Sequence, residues 1–199
     1  MKYIKNVAIF GSHSIRKNSK IYQEVFNVAK RLAENKLTVV NGGGPGLMEA
    51  ASFGAHAAGG KAIGVTYYPH DLKNFEGKDK NNILDKEIKT NNYIERTLTL
   101  LKYGDAYIIF KGGTGTISEF GMAWGLAKLY FGHHKPLILY GKFWFNIMKA
   151  IEVNLEIDEQ EKSVYGIATK PEEVISMLEK IEEKMESIRH KKHEGPFRL

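Results

Sequence analysis

Leu37-Thr38-Val39-Val40-Asn41-Gly42-Gly43-Gly44-Pro45-Gly46-Leu47-Met48-Glu49-Ala50 passes from an apolar run through a glycine-rich turn into a helix-forming stretch. Leu37 to Val40 reads as a buried strand, and Leu47 to Ala58 as a helix of small residues able to pack closely on a sheet. The same grammar extends in both directions. Val7 to Phe10 reads as an earlier strand ending in Gly11-Ser12-His13-Ser14, followed by a helix from about Ser19 to Glu34 with Ile21, Val25, Val28, Ala29 and Leu32 on one face. Downstream, Ala62 to Tyr67 is a strand, Asn92 to Tyr103 a helix, and Asp105 to Phe110 a buried strand that runs into Lys111-Gly112-Gly113-Thr114-Gly115-Thr116 and a helix to about Tyr130. Pro136 to Tyr140, Phe143 to Asn154, a short strand at Val164 to Ala168 and a charged helix opened by Pro171 complete the alternation. Strands alternating with helices predict a single Rossmann-like, doubly wound α/β domain over residues 1–189, with a mainly parallel sheet and helices on both faces. Residues 68–90 break the rhythm with a polar, Asn- and Lys-rich stretch that suggests a functional loop or lid. Residues 190–199 read as a flexible tail.

The 199 residues are 43% hydrophobic and 26% charged, with 20 Gly and no Cys. A chain of this length buries roughly 70% of its unfolded surface, enough for a core without metal or disulfide staples. The absence of cysteine excludes disulfides, a thiolate nucleophile and every thiolate-held metal. No apolar run approaches the ~20 residues of a membrane span, and Met1-Lys2-Tyr3-Ile4-Lys5 lacks a signal-peptide core, so a soluble, cytoplasmic protein is expected. Residues 1–149 carry 21 basic and 11 acidic side chains, and the remainder 8 and 12. A basic body suits an anionic ligand such as a phosphate or nucleotide, or is a solvated lysine-rich surface. No basic stripe with interleaved aromatic residues marks a nucleic-acid binder.

Two glycine-rich turns follow strands and open helices, the setting in which backbone N–H groups and a helix N-terminus receive phosphate. Both lie at carboxyl strand ends of one parallel sheet, which points to a shared crevice. The common nucleotide fingerprints fail: Leu47 and Ser118 stand where a dinucleotide motif needs its third glycine, and Ala55 and Ala62 break a P-loop around Gly60-Lys61. Glu119, one turn into the helix after the second glycine turn and flanked by Ile117, Phe120, Met122 and Trp124, is either a partly dehydrated catalytic carboxylate or a residue satisfying the helix start. Arg96 either grips a phosphate in a bidentate fork or pairs with Glu95 at the surface. His133, His134, His190 and His193 have no metal-ligand spacing, so no metal is expected. The aromatic residues Trp124, Phe143, Trp144 and Phe145 read as core or subunit-interface packing.

Phe10-Gly11-Ser12, Gly42-Gly43-Gly44-Pro45-Gly46-Leu47-Met48-Glu49-Ala50 and Gly112-Gly113-Thr114-Gly115-Thr116-Ile117-Ser118-Glu119 together resemble the Lonely Guy (LOG) family across about residues 5–180. The resemblance implies a phosphoribohydrolase that cleaves the N-glycosidic bond of nucleoside 5′-monophosphates, AMP or cytokinin riboside monophosphate, releasing free base and ribose 5-phosphate. It makes Arg96 and Glu119 the catalytic pair, with Gly11, Ser12, Gly42, Gly43, Gly44, Gly46, Met48, Gly112, Gly113, Thr114, Gly115 and Thr116 around the nucleotide. Glu119 would serve the ribose and water, and Arg96 with Thr114-Gly115-Thr116 would hold the 5′-phosphate. The resemblance also implies a homodimer, no cofactor, and neither nucleic-acid nor membrane partners. Lys111 stands where the family has Pro before Gly-Gly, and Tyr93, Thr97 and Leu100 replace a Met, a Lys and a Met around the Arg. The wider superfamily includes non-catalytic carriers of nucleotides or of the molybdenum cofactor, the alternative reading.

Overall fold

A computed structural model describes residues 1–68 and 78–189. The strands β1 (Asn6–Phe10), β2 (Thr38–Asn41), β3 (Ala62–Tyr67), β4 (Lys86–Thr90), β5 (Ala106–Ile109), β6 (Leu137–Tyr140) and β7 (Tyr165–Ala168) form one sheet in the order β4-β3-β2-β1-β5-β6-β7. Every pairing is parallel. Helices α1 (Lys20–Glu34), α2 (Leu47–Ala57), α3 (Tyr93–Tyr103), α4 (Thr114–Leu129), α5 (Phe143–Asn154), α6 (Glu159–Ser163) and α7 (Pro171–Arg189) connect and follow them. The doubly wound α/β architecture expected from the sequence is the one observed.

The central strands are buried on both faces, and their period-2 alternation divides the core in two. Val7 and Ile9 of β1, with Ile108 and Phe110 at β5, pack beneath α1, α2 and α7. Ala8 and Phe10, with Tyr107 and Ile109, pack beneath α3, α4 and α5. Full burial of each such Val or Ile side chain contributes about 1.5–3 kcal/mol. The small residues of α2 serve its approach to α1: a Cβ on Gly54 would lie 2.2 Å from the Phe26 carbonyl.

Two elements escaped the sequence pattern. Residues 68–90 are not one continuous loop, because Lys86-Glu87-Ile88-Lys89-Thr90 forms the edge strand β4. Its polar composition is what an exposed sheet edge tolerates, and lysines there oppose pairing with another chain. The short α6 is set by an Asp158 capping box with Glu161. Residues 69–77 of the loop or lid expected over 68–90, and the tail at 190–199 with His190 and His193, lie outside the described residues. Among the described residues no helix is long and apolar enough to cross a membrane.

Strand order reverses at β1, whose neighbours are β2 and β5, and the loops leaving β1 and β5 therefore diverge to opposite faces. A crevice opens at their carboxyl ends.

Candidate functional site

That crevice is a cavity of about 490 Å³, walled by Gly11 to Ser14 after β1, Gly42 after β2, Met48 in the first turn of α2, Tyr93, Arg96 and Leu100 of α3, and Gly113 to Thr116 with Glu119 of α4. Four chain segments distant in sequence thus converge on one space.

The segment ahead of α3 decides where Arg96 points. Asn92 caps the helix by accepting the Glu95 N–H at 2.8 Å, and the Glu95 carboxylate turns back to accept the Asn91 N–H at 2.9 Å. Glu95 is therefore committed to the helix start and does not pair with Arg96, which projects inward. Arg96 Nε donates to the Val65 carbonyl at 2.9 Å and Nη2 to the Gly42 carbonyl at 3.2 Å, with Met48 Sδ at 3.7 Å from Nη2. Nη1 lies 3.8 Å from Glu119 Oε1. The Nε–Nη2 edge of the guanidinium is occupied by main-chain carbonyls, and Nη1 faces the Glu119 carboxylate.

Glu119 is 7% exposed. Burial pushes its carboxyl up to about 7, against the opposing pull of Arg96. A carboxyl that exchanges its proton near neutrality, held beside a permanent cation, is equipped for acid–base work or for stabilising a developing positive charge.

The first turn of α4 supplies the complementary anion seat. Gly113 is its N-cap and offers no side-chain cap, and Gly113 and Thr114 are exposed at the cavity. The first amides of a helix have no intrahelical acceptor, and the helix dipole adds positive potential there. Glu119 stands five residues beyond Thr114, about 7.5 Å down the helix axis at 1.5 Å per residue.

The two glycine turns differ in what they leave free. In the first, Gly43 N donates to Asn41 Oδ1 at 2.8 Å and Gly44 N to Met48 Sδ at 3.3 Å. The carbonyls of Gly42, Gly43 and Gly44 accept from Arg96, from the Asp79 N–H at 3.0 Å and from Asn82 Nδ2 at 2.8 Å. Gly46 adopts φ 66°, and a Cβ there would lie 2.2 Å from the His13 carbonyl. Of the expected site residues, Gly11, Ser12, Gly42, Met48, Arg96, Gly113, Thr114, Gly115, Thr116 and Glu119 meet at the cavity, whereas Gly43, Gly44, Gly46 and Gly112 do not line it.

Sequence reasoning did not single out His13 and Ser14 as wall residues, although they directly follow the first strand's Gly-Ser. Nor did it place Tyr93 on the wall: its hydroxyl lies 2.5 Å from Ser118 Oγ and 3.4 Å from the Gly115 carbonyl, tying α3 to α4, and its ring meets Tyr67 edge-on at 6.4 Å. The aromatic residues expected in the core or at an interface divide: Trp144 is buried and donates to the Ile109 carbonyl at 3.0 Å, Trp124 is partly covered, and Phe145 is 53% exposed.

A family model described as LDcluster4, the SLOG cluster4 family, matches residues 4–175. The chain is similar to the cytokinin riboside 5′-monophosphate phosphoribohydrolase LOG5 of Arabidopsis thaliana, 27% identical over 193 residues, covering 88% of this chain and 77% of the relative. Its fold is similar to that of the molybdenum cofactor binding protein of the phototrophic bacterium Rippkaea orientalis (TM-score 0.68, 21% identity, 89% of this chain and 97% of the other). It is also similar to that of the Moco carrier protein of Chlamydomonas reinhardtii (TM-score 0.65, 19% identity, 91% and 99%).

Proposed function

The chain belongs to the SLOG cluster4 family, and on that footing we propose that it is a nucleoside 5′-monophosphate phosphoribohydrolase acting on AMP or a cytokinin riboside monophosphate. One observation carries this reading: buried Glu119 and partly buried Arg96, 3.8 Å apart, lie below an uncapped helix N-terminus that lines the same cavity. A 5′-phosphate at the Thr114-Gly115-Thr116 amides puts the pentose over the first turns of α4 and its anomeric carbon toward Glu119. Hydrolysis breaks the bond between that carbon and the base nitrogen. The bonding electrons leave with the base, which gains a proton, while water adds to the sugar. The transition state carries positive charge on the sugar ring, and the Glu119 carboxylate stabilises it and accepts the proton of the attacking water. Arg96 keeps part of the Glu119 population ionised and holds its position.

The test is incubation with AMP and other nucleoside monophosphates, followed by chromatography for free base and ribose 5-phosphate. Release of both supports the hydrolase. Tight retention of a nucleotide or of the molybdenum cofactor without turnover favours the carrier alternative. A homodimer in the cytoplasm belongs to the same proposal. Support for the dimer is the exposed row Ile117, Gly121, Gly125 and Leu129, spaced four apart along α4, where Ile117 is 63% and Leu129 72% exposed.

A further inference from the structure

One charged cluster lies beside the cavity and takes no part in the hydrolysis just described. Glu49, in the first turn of α2, has a side chain only 1% exposed. Lys17 Nζ donates to its Oε1 at 2.7 Å, and the Tyr22 hydroxyl of α1 donates to its Oε2 at 3.2 Å. Burial and the facing carboxylate push the Tyr22 hydroxyl up to about 12, so it remains a proton donor. Lys17 also lies 5.7 Å from the centroid of the Phe53 ring. Glu49 and Phe53 are four residues apart on α2, so one helix face receives the ammonium from both sides.

Lys17 belongs to the segment between β1 and α1, whose beginning, Gly11 to Ser14, lines the cavity. Upstream, the segment is fixed by Ser12 N donating to the Lys111 carbonyl at 3.2 Å and by Leu47 N donating to the Ser12 carbonyl at 3.1 Å. Downstream, Ser19 caps α1 by accepting the Tyr22 N–H at 3.3 Å. Between these anchors the chain is neither strand nor helix; Ile15 packs against the core beneath α1 and α2, and Lys17 supplies the segment's ion pair to α2. Removing one partner of a buried ion pair leaves the other uncompensated and is strongly destabilising. The same helical turn carries Met48, whose sulfur accepts from Gly44 and touches Arg96.

We propose that Lys17, Glu49 and Tyr22 form a fastener that holds the β1–α1 segment in the conformation lining the cavity, which makes Lys17 and Glu49 positioning residues for a ligand they do not touch. The proposal rests on the reading of this cavity as the nucleotide site, but not on hydrolysis there.

Amide hydrogen exchange and AMP kinetics on Lys17→Met, Lys17→Arg, Glu49→Gln and the Lys17→Met/Glu49→Gln double variant test it. Exchange over residues 13–18 is expected to quicken by about tenfold in Lys17→Met and in Glu49→Gln, with KM for AMP rising by a similar factor and kcat unchanged. Lys17→Arg restores both readouts, and the double variant is no worse than either single one, because either change undoes the same tie. If Lys17 instead touches the phosphate, Lys17→Met weakens AMP while Glu49→Gln leaves it unchanged or tightens it; that result overturns the proposal. Lower melting temperatures with unaltered exchange at 13–18 relative to the rest of the chain overturn it too. Should the unaltered protein neither bind nor cleave AMP, the nucleotide reading falls by itself. The exchange data then decide the fastener alone: faster exchange sustains it and unchanged exchange removes it.

Discussion

Gly42 leaves the space that Arg96 occupies: a Cβ on Gly42 would fall 1.6 Å from Arg96 Nη2 and 2.7 Å from Cζ. The glycine carbonyl also accepts from that nitrogen at 3.2 Å, so one residue both makes room for the guanidinium and fixes its orientation.

Gly42→Ala is therefore expected to evict Arg96 without unfolding the chain, because the clash is with the end of a flexible side chain. Loss of ~10- to 100-fold in kcat/KM on AMP should accompany less than ~2 kcal/mol of destabilisation. Gly43→Ala behaves oppositely: at φ 71° the substitution strains the backbone, and the effect falls on stability. Urea melts and steady-state kinetics on the two variants separate these outcomes.

Glu119→Gln should lower kcat by at least ~10²-fold with KM for AMP little changed, because the carboxylate acts on charge that develops only as the glycosidic bond breaks. Near wild-type kcat in this variant would reduce Glu119 to a helix residue and end the proposed mechanism.

The proposed mechanism uses ionised Glu119, whose carboxyl burial pushes up to about 7. Activity should then rise with pH through 7, visible as an acid limb in kcat/KM. Stability runs the other way. A carboxyl raised above its unfolded value binds more protons when folded, so its contribution is present at low pH and lost between about 4.5 and 7. Glu119→Gln should accordingly raise the melting temperature relative to wild type more at pH 8 than at pH 5, which calorimetry at the two pH values checks.

Arg96→Lys should not rescue what Arg96→Ala loses. An ammonium cannot span the Val65 and Gly42 carbonyls while facing Glu119, tasks that the planar fork divides among its nitrogens. Both variants should shift the acid limb to higher pH, since the cation that lowers the Glu119 carboxyl is lost or displaced. A pH–rate profile on AMP distinguishes this from loss of phosphate binding, which would change KM and leave the limb in place.

Sedimentation at tens of micromolar, a concentration chosen on the order of magnitude above most specific dissociation constants, should report a dimer. Ile117→Glu, placing a charge in the exposed α4 row, should shift the population to monomer.

The fold was legible because its strands are buried on both faces and spell continuous apolar runs such as Val7 to Phe10 and Ala106 to Phe110. Lys86 to Thr90 was not, since an edge strand with one apolar residue carries no such run. Arg96 and Glu119 could be singled out in the sequence, but their relation could not. Asn92 and Glu95 set the rotation of α3, and whether Arg96 met a phosphate or two carbonyls depended on Gly42 and Val65, far away in the chain. The Gly42–Gly46 turn is opaque for a related reason: glycine density looks the same whether amides are free or, as at Gly43 and Gly44, already bonded to Asn41 and Met48.

The cavity straddles the seam between β1 and β5, paired strands that stand about a hundred residues apart in the chain. A molecule held by the loop after β1 and by the first turn of α4 bridges that seam, so each binding event closes a long loop as a reversible cross-link would. Ligand should therefore slow the opening of the two halves and lift the unfolding free energy by RT ln(1 + [L]/Kd). A folding intermediate in which β1 has not yet found β5 possesses both glycine turns and no binding site.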